Sequence, residues 1–240
     1  MKELRDLAQL SARIGADLRL VQGGGGNSSI KIGDRIWVKA SGTWLSRAEE
    51  KSIFISLPLD EIRRRIAAGD ADDLSDLADC GDGLRPSIET TLHAIFPHAA
   101  VVHVHSVNAI SWSVEESGRA ALDQRLHGMA WAWIPYQKPG LPLCKAVIDA
   151  QHASDQRLDL VVLANHGLVV AAENCADVEA LLEEVEVHLA REERSPPPWN
   201  RRKLDAVNDA AWCIPEEAEI HAIATDGTTL QVARQGVLYP

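Results

Sequence analysis

A chain of 240 residues with 46% hydrophobic side chains can bury the core of one α/β domain, or of one domain with a small appendage. Its formal net charge of −11 excludes the broad basic face that duplex binding requires, but still allows a locally positive pocket for a phosphorylated small molecule. No stretch reaches the ~20 consecutive apolar residues of a membrane span, and the opening MKELRDLAQLSARIGADL lacks the apolar centre of a signal peptide.

Leu4, Leu7, Leu10, Ile14 and Leu18 form one stripe of a helix over residues 2–18. LRLVQGGGGNSSIKIGDRIWVKASGTWLS then reads as a strand, a glycine loop and a hairpin, with IGDR as the turn and RIWVKAS as the second arm. Residues 59–68 are a short helix, and GDADDLSDLADCGDGL is an acidic, solvated loop. RPSIETTLHAIF begins a helix at Pro86 and Ser87, with Glu89 in its first turn. Next come a strand (AAVVHVHS), a helix (VNAISWSVEE), a strand (MAWAWIPY) and a helix (LPLCKAVIDAQHA). A buried strand (LDLVVLAN) follows, then another (LVVAAE) after Gly167, and a long amphipathic helix from Cys175.

The prolines of RSPPPW (194–199) end that helix and divide the chain into a main domain, 1–195, and a tail, 196–240. The tail reads as β-rich, with a hairpin turn at Asp226-Gly227 in IHAIATDGTTLQVA. Cys80, Cys144, Cys175 and Cys213 lie far apart and make no CxxC, which fits reduced thiols in a cytoplasmic protein.

VVHVHS poses the chemical question. On a strand His103 and His105 point the same way, with Val102 and Val104 opposite. Two such residues have Cα atoms ~6–7 Å apart, so their imidazoles can converge on one metal ion. Equally, they can be half-buried histidines bonded to backbone or water. His166, at the end of LVVLAN and followed by Gly167, is placed to join them, or is a turn residue beside a glycine. Three neutral imidazoles would leave zinc an open position for a substrate oxygen.

GGGGNSSIKIGDRIWVKASG, PSIETTLHAIFPHAAVVHVHS and ANHGLVVAAENCADVEALLEEVE occur in the order found in the class II aldolase/adducin family. The resemblance covers residues 5–195. It is not a dinucleotide-binding pattern, because Ser28 stands where GxGxxG needs its last glycine. The family includes aldolases for fuculose and rhamnulose 1-phosphates and ribulose-phosphate 4-epimerase.

This resemblance implies a three-layer α/β/α fold with a central, mostly antiparallel sheet, and a homotetramer with sites between subunits. It makes His103, His105 and His166 the ligands of Zn2+, with Mn2+, Co2+ or Fe2+ also suited to the donor set. Glu89 becomes the catalytic base; read alone, it is an acid complementing a helix dipole. Gly26, Asn27, Ser41, Gly42 and Ser87 match the phosphate-binding loops, while Ile88 stands where several aldolases carry a second serine. Lys39 either compensates for that serine or is an ordinary exposed strand lysine. His93, one turn after Glu89, tunes the glutamate or packs. The family's acid is a tyrosine, yet neither Tyr136 nor Tyr239 matches its position.

The activity implied is cleavage of a ketose 1-phosphate to dihydroxyacetone phosphate and an aldehyde through a zinc-stabilised enediolate. Decarboxylation of a 3-oxo acid phosphate and 4-epimerisation of a pentulose phosphate would use the same site. A non-catalytic, adducin-like assembly module is the reading from another class. Implied partners are a sugar phosphate and further copies of the chain, without nucleic acid or membrane.

Overall fold

A computed structural model describes residues 1–78, 83–192, 198–206, 214, 221 and 225–235. The chain divides into two compact units, Met1–Ala190 and Arg191–Pro240. Cys80, Cys213, Tyr239 and most of RSPPPW lie outside the described residues.

The first unit is built on a seven-stranded sheet. Its strands are β1 (Asn27–Ile32), β2 (Arg35–Lys39), β3 (Phe54–Pro58), β4 (Ala100–Val104), β5 (Trp131–Ile134), β6 (Leu160–Leu163) and β7 (Gly167–Ala172). They lie in the order β3-β2-β1-β4-β7-β6-β5, and all neighbours are antiparallel except β5 and β6. The helices are α1 (Lys2–Ala16), α2 (Leu59–Ala68), α3 (Thr90–Ile95), α4 (Val107–Ser113), α5 (Gly118–Arg125), α6 (Leu141–Ala153) and α7 (Cys175–Leu189).

Strand alternation sorts the core into two faces. Ile30, Val102, Val104, Leu168 and Val170 pack with Leu7 and Leu10 of α1 and Val178, Leu182 and Val185 of α7. Val101, Val161, Val169 and Ala171 pack with Leu92 of α3 and Leu143 and Val147 of α6. Ile36 and Val38 meet Ile62 and Ile66 of α2 near the β3 edge. The sheet is therefore covered on both sides, in three layers with mostly antiparallel strands, as the resemblance implies.

Several expectations are corrected. Leu18–Val21 is not a strand: the amides of Leu20 and Val21 both donate to the Asp17 carbonyl, closing a turn, and Leu18 is 73% exposed. Strand β3 and helix α5 were not evident in the sequence. The helix expected from Pro86 starts at Thr90, because Pro86 is held as an isolated bridge to Ala40 and Ser41 N–H donates to Arg85 O. Glu89 is thus at the helix cap rather than inside the first turn, and its side chain makes no capping bond.

In the second unit, the hairpin expected at Asp226-Gly227 is replaced by a helix, Gly227–Arg234. Asp226 Oδ2 accepts from Thr229 N at 2.9 Å, which satisfies one of the unpaired amides that open a helix. The described residues of this unit include the helices Arg201–Asp205 and Gly227–Arg234 and no strand, so the β-rich reading of the tail fails there.

Candidate metal centre

Strand β4 lies between β1 and β7, and His103 pairs with Asn27 on one side and Val169 on the other. Its side chain is therefore on the α3 face, next to Asn27. The strand ends at Val104, and His105 follows as the chain leaves the sheet. His166 comes from the short turn between β6 and β7, closed by His166 N donating to Leu163 O at 3.2 Å. Asn165 in that turn is the one non-glycine residue with positive φ among those described, at 56°.

Glycine makes these approaches possible. A Cβ on Gly167 would lie 2.2 Å from Val104 O, so a side chain there would separate β7 from β4 beside the histidines. A Cβ on Gly25 would lie 2.9 Å from His105 Nδ1. The glycine run is therefore shaped to the His105 ring and is more than a flexible loop.

The structure brings His103, His105 and His166 together, with one potential ligand atom from each lying within 4.8 Å of the others. Their ring centroids are 4.7–5.2 Å apart. His103 Nδ1 is 3.0 Å from Leu168 O; a carbonyl only accepts, so Nδ1 carries the proton and Nε2 presents a lone pair. That Nε2 is buried without a hydrogen-bond partner. Glu89 Oε1 stands 3.3 Å from it and 3.4 Å from His166 Nε2. Burial lowers all three histidines from 6.5 to about 4, so they are neutral at pH 7. Lone pairs and a carboxylate oxygen thus converge in a buried space, an arrangement that a divalent cation would stabilise. The residues fit such an ion, and the nitrogen and oxygen donor set suits zinc, manganese, cobalt or iron.

The depressed values have a consequence for the metal-free protein. Between about 4 and 6.5 the unfolded chain binds more protons than the folded one, so stability is complete above 6.5 and falls as pH drops through that window. Thermal melts of chelator-treated protein from pH 7.5 to 4.5 should show a declining Tm. A flat profile across the window would mean that the rings titrate as if in solvent.

The other expected site residues are placed as follows. Asn27 Nδ2 donates to Ser87 Oγ at 2.9 Å, Ser87 Oγ also accepts from Glu89 N at 3.3 Å, and Asn27 Oδ1 is buried with no partner. Gly26 is buried with φ of 65°. Ser41 and Ser87 line one cleft of about 340 Å³ together with Arg85. Gly42 lines a different cleft, with Trp44 and Arg47. Lys39 is not an exposed strand lysine: it is 2% exposed, and Nζ donates to Gly24 O at 3.2 Å. Burial lowers its pKa, opposed by the Glu89 carboxylate.

His93 is fully buried, with Nδ1 2.8 Å from Ser29 Oγ, and burial holds its pKa well below the ordinary value. Ser29 was missed in the sequence, although alternation along β1 puts Asn27, Ser29 and Lys31 on one face. Tyr136, the one tyrosine among the described residues, is 60% exposed beyond β5.

No helix among the described residues is long and apolar enough to cross a membrane. Residues 5–191 match the family model of the class II aldolase and adducin N-terminal domain. The chain is 32% identical over 187 residues to the uncharacterized oxidoreductase YuxG of Bacillus subtilis (strain 168), a match spanning 72% of this chain and 27% of that protein. The chain thus spans about a quarter of that relative's length. Its fold resembles the N-terminal class II aldolase domain of a conserved protein from Thermoplasma acidophilum, with TM-score 0.68 and 22% identity over 78% of this chain and 92% of the other. It also resembles L-fuculose-1-phosphate aldolase from Thermus thermophilus, with TM-score 0.54 and 16% identity over 79% and 92%. The family match over most of the chain, joined to this sheet and its histidine cluster, identifies the protein as a member of the class II aldolase and adducin family.

Proposed function

We propose that the chain is a divalent-metal-dependent lyase, with zinc the first choice of metal, that cleaves a ketose 1-phosphate into dihydroxyacetone phosphate and an aldehyde. The observation that carries this reading is Glu89 Oε1 lying 3.3 and 3.4 Å from two histidine Nε2 atoms in a buried space. A cation held by His103, His105 and His166 supplies Lewis-acid stabilisation for charge developing on substrate oxygens. Glu89 takes the substrate hydroxyl proton and returns it to carbon. Asn27 and Ser87 are joined by a hydrogen bond and hold the phosphate with Gly26 and with Ser41, which shares a cleft with Ser87, while Lys39 supplies the nearby positive charge; Gly42 lines a different cleft and shapes the Ser41 loop. The trio and Glu89 together argue against a purely structural, adducin-like role.

A homotetramer in the cytoplasm is the assembly this reading carries. YuxG is much longer than this chain, and the oxidoreductase name belongs to that whole protein. Neither tyrosine matches the position of the family's acid, which favours one second reading. Decarboxylation of a 3-oxo acid phosphate forms the same enediolate without an aldehyde partner, so it needs no acid for an aldehyde oxygen; 4-epimerisation of a pentulose phosphate on the same site would still need one.

The test is a cleavage assay on zinc-reconstituted protein with L-rhamnulose 1-phosphate and L-fuculose 1-phosphate, with and without chelator. Chelator-sensitive release of dihydroxyacetone phosphate supports the lyase. No release from protein holding one metal per chain overturns it in favour of decarboxylation. With an active substrate, Asn27→Ala should raise KM about tenfold with a smaller change in kcat, as expected when a phosphate contact made equally in ground and transition states is lost. Steady-state kinetics check this, and an unchanged KM would remove the phosphate from Asn27.

A further inference from the structure

Helix α4 joins the two segments that deliver His105 and His166. It starts immediately after His105, with Ser106 as its N-cap: Ser106 Oγ accepts from Ala109 N at 3.0 Å and the side chain is fully buried. Its last residue, Ser113, is also buried. Ser113 Oγ donates to Ile110 O at 3.0 Å and accepts from Asn165 N at 3.1 Å. Asn165 is the residue with φ of 56°, one position before His166. Asparagine adopts the left-handed region more readily than other non-glycine residues, and a contact to its amide fixes the turn in that form. The hydroxyl of Ser113 supplies such a fixing contact.

We infer that α4 is a strut setting the separation of the His105 and His166 imidazoles, with Ser106 and Ser113 as its positioning residues at either end. Neither serine touches the histidine rings in any described contact; each acts through backbone. Ser113 holds the turn that aims His166, and Ser106 fixes the helix start that fixes the exit of His105. For its effect on metal affinity the inference rests on the metal-centre reading above; for ring geometry it stands alone.

The test compares wild type, Ser113→Ala, Ser113→Thr and Ser106→Ala, each stripped of metal. Cobalt(II) titration, followed by its visible absorption, reads affinity and coordination geometry. Loss of a support behind a ligand weakens binding about tenfold or more, so Ser113→Ala and Ser106→Ala should show that loss and an altered cobalt spectrum. Ser113→Thr keeps the hydroxyl and should bind within about threefold of wild type, below that loss. Crystal structures of the metal-free proteins read the rings directly. In Ser113→Ala the His105–His166 centroid separation should leave its 5.2 Å value by more than the ~0.5 Å tolerance of a preorganised site. Unchanged ring positions in both alanine variants would overturn the strut, as would unchanged cobalt affinity and spectrum. A merely structural serine would lower Tm and leave the spectrum alone, which also counts against it. If wild type binds no cobalt, the metal reading fails, and the ring positions still decide the strut.

Discussion

Glu89→Gln should retain its metal and lose turnover by about 10²–10⁴-fold, the usual contribution of a positioned general base. The substitution keeps the shape of the side chain and removes its capacity to take a proton. Its surroundings make it a sharp test. The carboxylate is nearly buried and makes no capping bond to α3, so a loss of activity cannot be traced to a failed helix start. Ser87 Oγ accepts from the Glu89 amide, which holds the backbone and is untouched by the change. Metal analysis with kcat on the same preparation separates the outcomes. Unchanged turnover would remove Glu89 from the chemistry, and metal loss would make it a ligand instead.

His103→Ala should weaken metal binding at least ~100-fold, beyond what loss of an outer partner costs, and reduce activity to background. His103 has the largest expected effect of the three because it is the most fixed. It sits mid-sheet, it is fully buried, and its Nδ1–H is anchored to Leu168 O so that Nε2 has one direction available. Isothermal titration with zinc and the cleavage assay check both halves of the result. Full metal content with full activity would refute the ligand assignment. A comparison of Tm without metal guards against simple unfolding, since the variant also leaves a buried void.

Much of this architecture was readable from the amino acids because its local signals agree with one another. The IGDR turn joins β1 to β2, and VVHVH and the apolar runs LVVL and LVVAA each correspond to strands in the structure. The three histidines and Glu89 were singled out through the resemblance of the ordered motifs to a known family, not by their local sequence alone, and they lie together in space. What failed had tertiary causes. The segment around Pro86 begins like a helix, but pairing with Ala40 holds it extended and delays α3 to Thr90. Lys39 has no sequence mark of burial; only the fold shows it lying beneath Gly24. The Asp-Gly pair at 226–227 satisfies hairpin and helix-cap rules alike, and the aspartate bond to Thr229 selects the helix.

The register of β4 and β7 also bears on how the chain acquires its centre. His103 is bonded to Leu168, 65 residues further on, and any segment that contains all three imidazoles must run from His103 to His166. A loop of that length must close before the ligands meet, and contacts of such separation are reached slowly during folding. A nascent or half-folded chain therefore offers at most the His103 and His105 pair. Uptake of the ion would report completed strand pairing, so in a refolding experiment it would mark the arrival of the native sheet rather than seed it.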